Sequence, residues 1–159
     1  MSRLLVAYFS RTGRTQEMAE EIGRGARETG VAVDVLPLQK VAVDALSGYQ
    51  GIVIGSPSYY GTMVAEAKHL LDSSIKLHGK LVGKVGGAFA TAASVGGGSE
   101  TAVLSILQAL MVHGMIITGM ATDDHYGPTG IHAPDAERLI RTCRAYGKAV
   151  AELTKKLHG

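Results

Sequence analysis

Six consecutive residues, Ser10-Arg11-Thr12-Gly13-Arg14-Thr15, gather three hydroxyls, two guanidinium groups and a glycine, a set suited to holding an anion. Leu4 to Phe9 before them is a short apolar run of the kind a buried strand needs. Met18, Ala19, Ile22 and Ala26 after them recur at helical spacing. The turn therefore opens a helix. There the first backbone N–H groups lack intrahelical partners and the macrodipole is positive, so a phosphate can collect several donors at once. Ser10, Thr12 and Thr15 add hydroxyls, and Gly13 lets the backbone come close to a ligand. The same residues also suit an ordinary capped helix in which Ser10 or Thr12 satisfies the first turn.

Two further stretches bear on that choice. Pro57-Ser58-Tyr59-Tyr60-Gly61 places two aromatics and a glycine after an apolar run, where a planar heterocycle could stack. Its plainer alternative is a tyrosine pair that packs the loop onto the protein. Thr91-Ala92-Ala93-Ser94-Val95-Gly96-Gly97-Gly98 offers bare backbone donors and acceptors that could follow the edge of a flat ring. Its alternative is a flexible glycine linker, although Glu100-Thr101 and a periodic helix directly afterwards argue for anchored ends.

The elements that must position these stretches alternate. Leu4 to Phe9, Ala32 to Leu36, Gly51 to Gly55, Lys84 to Ala90 and Met115 to Met120 are expected to be strands. Helical spacing marks Val64 to Ser73, Glu100 to His113 and a long closing segment from Pro134, with Pro134 and Asp135 suited to its start. Leu38 to Tyr49 is too short for a long crossover helix, so a turn or two near Val43 to Ser47 is expected. Strand and helix in alternation give an α/β architecture, a doubly wound five-stranded parallel sheet of order 2-1-3-4-5, within one domain over residues 1–159. In that order ligands bind at the carboxyl ends of strands one and three. All three loops project from that edge.

Composition excludes several classes. With 16 Lys and Arg against 14 Asp and Glu, the charge is nearly balanced, and no dense basic stripe suggests nucleic acid. A single cysteine rules out intrachain disulfides and Cys-x-x-Cys chemistry, and catalysis by Cys143 is not expected. No stretch is long enough to span a membrane and no signal peptide is evident, so a cytoplasmic protein is the default. A nucleoside triphosphatase would need Gly-Lys-Ser/Thr after a strand, and a phosphoacceptor receiver an acidic cluster after strand one. Neither is present. A serine hydrolase is the sharpest rival, since Ala92-Ala93-Ser94-Val95-Gly96 approximates a nucleophile elbow with Asp124 and His132 following; the run of glycines does not favour a helix starting directly after Ser94.

Val6 to Thr15 followed by Ala19 resembles the phosphate-loop signature of flavodoxins and their relatives. Gly55 to Gly61, Phe89 to Glu100, His113-Gly114-Met115 and Tyr126-Gly127 resemble more narrowly the WrbA-type NAD(P)H:quinone oxidoreductases, a likeness that covers nearly the whole chain. The resemblance implies a flavodoxin-like fold binding FMN noncovalently. Ser10, Arg11, Thr12, Gly13, Arg14 and Thr15 would hold the phosphate. Pro57, Ser58, Tyr59, Tyr60 and Gly61, with Thr91, Ala92, Ala93, Ser94, Val95, Gly96 and Gly97, would flank the isoalloxazine ring. His113 would lie near the flavin, although a histidine ending a helix can equally interact with its last carbonyls. Tyr60, His113 and Tyr126 would shape the substrate pocket, and no protein nucleophile or metal is required. NAD(P)H would be the electron donor, a quinone-like small molecule the acceptor, and the protein a homo-oligomer. An electron-carrier flavodoxin docking to redox protein partners is the alternative.

There are departures from the WrbA pattern. Thr12 stands where those proteins carry an aromatic, Tyr59-Tyr60 replaces an Arg-Phe pair, and there is no tryptophan. Insertions between strands two and three and after strand five are absent. These leave FMN binding in place and the acceptor end open.

Overall fold

The computed structural model describes residues 2–131 and 136–159. Its strands are β1 (Arg3–Tyr8), β2 (Ala32–Pro37), β3 (Gly51–Pro57), β4 (Val85–Ala92), β5 (Ile116–Ile117) and β6 (Thr129–Ile131). Its α-helices are α1 (Arg14–Arg27), α2 (Ala65–Ser73), α3 (Ser99–Val112) and α4 (Ala136–His158). The sheet is parallel with order β2-β1-β3-β4-β5, as the alternation of elements implies, and β6 also pairs with β4. Leu4–Tyr8 of β1 and Gly51–Ser56 of β3 are buried throughout, the pattern of strands covered on both faces. One apolar layer joins the sheet to α2 and α3 through Ile54, Ala67, Leu70, Ile106 and Leu110. The other joins it to α1 and α4 through Met18, Ile22, Phe89, Cys143 and Val150. The short second crossover consists of 3-10 turns at Leu38–Lys40 and Val43–Gly48. Pro134 and Asp135, expected to start the last helix, lie outside the described residues.

The fifth strand departs from expectation. Met115 to Met120 does not form one continuous strand; only Ile116 and Ile117 pair, with Val85 and Gly86. The chain then loops out and returns as β6 beside Ala90–Ala92. The Asp124 carboxylate anchors this loop, accepting the Thr129 backbone N–H at 3.0 Å, the Thr129 hydroxyl at 3.1 Å and an Arg138 N–H at 3.2 Å. Between the two short strands, β4 would have a gap along its outer edge. The Ala88 N–H there donates to the Tyr146 hydroxyl of α4 at 3.0 Å. Tyr146 is fully buried, and desolvation pushes its phenol up to about 12.

Tyr146→Phe keeps the ring and strands that amide. The expected loss is about 1–3 kcal/mol of unfolding free energy, the cost of a buried unsatisfied donor, read as a lower urea midpoint at unchanged slope. An unchanged midpoint would sink this account of the split strand.

Candidate functional site

At the carboxyl edge of the sheet the chain leaves β1 through Phe9, whose N–H donates to Gly55 O at 3.0 Å. It then turns into α1 with Gly13 as the N-cap residue, at φ 98° and ψ −17°. The Ser10 hydroxyl accepts the Gly13 N–H at 3.0 Å, and no side chain caps the first turn of α1. The ordinary cap by Ser10 or Thr12 is therefore not what this turn is. Helix geometry leaves the N–H groups of Arg14, Thr15 and Gln16 without intrahelical acceptors. Arg11 and Arg14 stand beside them. The result is a cationic turn with free backbone donors.

The other two loops are fastened to each other and to this turn. Tyr59 and Thr62 exchange backbone hydrogen bonds of 3.0 and 3.2 Å, making a tight hairpin with Tyr60 and Gly61 at its tip. The Ser58 N–H donates to Thr91 O at 2.6 Å, and the Ser58 hydroxyl donates to Gly97 O at 2.9 Å. A side chain on Gly98 would collide with Gly61 Cα and Ser58 Oγ, each 2.8 Å from where its Cβ would lie. Thr15 and Thr91 bring their hydroxyls within 2.9 Å, both nearly buried. One run of hydrogen bonds, from Thr15 to Thr91 to Ser58 to Gly97, thus crosses all three loops.

They enclose a cleft of about 300 Å³ lined by Arg11, Thr12, Arg14, Thr15, Pro57, Ser58, Tyr59, Thr91, Ala92 and Ala93. Ser94, Val95, Gly96 and Gly97 are exposed beyond its rim, and Ser10, Gly13 and Gly61 shape its turns. A larger groove of about 510 Å³ lies between the first 3-10 turns and α2. Its charged lining group is Glu66, which would repel an anion, so chemistry and not size singles out the carboxyl-edge cleft.

Three pocket candidates lie elsewhere. Tyr60 sits at the hairpin tip, fully exposed, with φ 51°. A non-glycine residue in that region is uncommon and costs of order 1 kcal/mol; it is Tyr59 that lines the cleft. Tyr126 is half-exposed and precedes Gly127, which abuts the Ala88 carbonyl, so it stands along the sheet edge and does not line the cleft. His113 is not brought to the cleft within this chain. It caps the far end of the 14-residue α3, roughly 21 Å along that helix from the third loop. Its Nε2 lies 2.7 Å from Ser74 Oγ. That hydroxyl donates to Leu71 O at 2.6 Å, so Nε2 carries the proton. Nδ1 is buried without a partner among the described residues, and burial, with His78 adding to it, holds the ring below the usual histidine range.

The hydrolase alternative loses its geometry as well. Ser94 is exposed, and α3 begins only at Ser99, so no nucleophile elbow exists; His132 lies outside the described residues. Cys143 is buried and its thiol is pushed up to about 12, which makes it inert.

Ser56 was not singled out by sequence. Buried at the end of β3, it accepts the Val64 N–H at 2.8 Å and donates to Pro57 O at 2.7 Å, holding both ends of the tyrosine loop. A hydroxyl inside an otherwise apolar strand, directly before proline, was the available signal.

A doubly wound parallel sheet with an anion-binding turn after β1 and two flanking loops after β3 and β4 defines a flavodoxin-like protein. Residues 5–112 match the flavodoxin-domain family model, and the chain belongs to that family. It is 32% identical to an NAD(P)H dehydrogenase (quinone) of Bradyrhizobium sp. strain BTAi1 and 33% identical to one of Acidithiobacillus ferrooxidans, each match covering 100% of both chains. Those alignments run over 199 and 201 positions against 159 residues here, so the match spans long gaps. Among solved structures, a flavodoxin from the domain Archaea superposes with TM-score 0.78 at 27% identity, covering 96% of this chain and 99% of the other. The WrbA-like flavodoxin of Agrobacterium tumefaciens superposes with TM-score 0.83 at 24% identity, covering 99% of each, which speaks for the fold.

Proposed function

We propose that this chain is a cytoplasmic FMN-dependent NAD(P)H:quinone oxidoreductase, with residues 1–159 acting as one flavin-binding domain. The observation that carries the flavin is the uncapped turn at Gly13, where free helix N–H groups, the Thr12 and Thr15 hydroxyls and two arginines converge. That donor set matches a phosphate monoester, and the small side chains of Ala92 and Ala93 leave room for a ring beside it. When bound, FMN supplies two-electron redox chemistry between a reduced nicotinamide and a quinone. The protein's share is orientation. Ser10 holds the Gly13 amide so that the next N–H groups face the cleft. Tyr59 lines the ring side of the cleft. Tyr60, held out at the hairpin tip, offers its ring to whatever enters from solvent. On this reading the cleft side chains bind and orient, and the redox chemistry resides in the cofactor.

The activity rests on the quinone dehydrogenases that match end to end at more than 30% identity. One observation favours a second reading, an electron carrier. The archaeal flavodoxin covers this chain almost end to end, whereas the quinone dehydrogenases align only across long gaps. Anaerobic stopped-flow separates the two. FMN-loaded protein mixed with NADPH or NADH is expected to lose flavin absorbance within turnover time and to regain it on adding benzoquinone. Bleaching by neither nucleotide would eliminate the oxidoreductase and leave the carrier.

A further inference from the structure

Thr91 is the residue through which the three loops meet. Its carbonyl takes the Ser58 N–H at 2.6 Å, its hydroxyl lies 2.9 Å from that of Thr15, and the third loop continues from it. Both residues are buried, Thr15 at 3% and Thr91 at 7% exposure, so each hydroxyl has the other as its nearest partner and little access to water. Each hydroxyl has one proton to give. An anion at the helix N-terminus offers only lone pairs, so Thr15 must turn its proton toward it. The Thr15 oxygen is then free to accept, and Thr91 is the hydroxyl at hand to donate. A neutral ligand hydroxyl makes no such demand, because it can donate to Thr15 as readily as accept.

We propose that Thr91 is a positioning residue that makes the site select phosphorylated over phosphate-free flavin, by donating to Thr15 when Thr15 donates to the phosphate. This rests on the FMN reading above. The same residue's carbonyl holds Ser58, and Ser58 holds Gly97, so the bond directed by the phosphate is built into the frame that shapes the ring side of the cleft. Hydrogen bonds in line with an anion are about twice as strong as neutral ones and polarise one another. Losing the donor therefore weakens the phosphorylated ligand selectively.

Fluorescence titration with FMN and with riboflavin, on wild type and variants, tests this. Thr91→Val keeps the branched shape and removes the hydroxyl. It is expected to weaken FMN by about 10-fold and riboflavin by less than about 3-fold. Thr91→Ser, which restores the donor, is expected to recover the wild-type ratio of the two affinities. On a Thr15→Val background, Thr91→Val is expected to cost FMN less than about 2-fold further, since linked residues do not add. Equal losses for both ligands would show a merely structural role and overturn the proposal, as would a Thr91→Ser protein as poor as Thr91→Val, or full additivity. Wild type that binds riboflavin and FMN alike, or neither, would instead overturn the FMN reading on which this depends.

Discussion

Gly13→Val is expected to leave a folded protein that has lost FMN binding by roughly 100-fold or more, the equivalent of about two charge-assisted hydrogen bonds. Crowding is not the cause. A Cβ at Gly13 meets no heavy atom within 4 Å, so packing alone would accept a side chain. The obstacle is the backbone, held at φ 98°, a conformation that a β-branched residue tolerates poorly. Relief comes by rotating residue 13 out of the left-handed region. That turns its N–H off the Ser10 hydroxyl and re-aims the amides of Arg14 and Thr15, which are the donors the phosphate needs. Because the strain sits at an open turn, the stability cost should stay near 1–2 kcal/mol, the usual scale for a strained backbone residue. Fluorescence titration reads the binding and urea unfolding the stability. A Gly13→Val protein that binds FMN as tightly as wild type would show that the αL turn is not what forms the site.

The parts of this molecule that sequence exposed are those set by local chemistry. Leu4–Tyr8, Gly51–Gly55 and Val85–Ala90 carry no charged or hydroxyl-bearing side chain other than Tyr8 because both faces are covered, and that pattern shows in composition alone. The hydroxyl-rich turn and the glycine-rich loop were visible for the same reason. What stayed hidden depends on residues distant in sequence. Met115 to Met120 has the composition of one strand, but Asp124 captures Thr129 and Arg138 and divides it, while Tyr146 from the last helix fills the gap. The spacing around His113 does not reveal its distance from the three loops; the length of α3 carries it to the opposite edge of the sheet and onto Ser74. Of two adjacent tyrosines, only the hairpin closed by Tyr59 and Thr62 decides that Tyr59 lines the cleft and Tyr60 faces water. Gly13 was legible as a small residue, but its place as the helix cap, which leaves the amides free, required backbone angles.

Gly147→Ala is expected to produce the largest loss of stability and the opposite ligand behaviour. The helices α1 and α4 approach backbone to backbone: a methyl on Gly147 would overlap the Ile22 carbonyl, and one on Gly25 the Arg144 carbonyl. Neither obstacle can rotate away, since each is main chain inside a helix. The ion pair that also joins the helices, Arg144 to Glu21 at 2.6 Å, is partly exposed and contributes little beside this fit. Accommodating the methyl means separating two helices that share a buried face through Met18, Ile22, Cys143 and Val150. Overpacking of this kind costs about 3 kcal/mol, which in a chain of this size lowers Tm by roughly 6–12 °C. The phosphate turn begins α1, but it lies two turns from Ile22 and keeps its own geometry, so the variant should still take up FMN. A ligand at 100 times its Kd restores about 2.7 kcal/mol by mass action. Excess FMN should therefore return most of the lost Tm in Gly147→Ala and little in Gly13→Val, where the same ligand concentration only reaches the weakened Kd and contributes about 0.4 kcal/mol or less. Melting curves for both variants, each with and without FMN, separate the two roles of glycine in one experiment; a Gly147→Ala protein that melts with wild type would mean the helices are not in backbone contact.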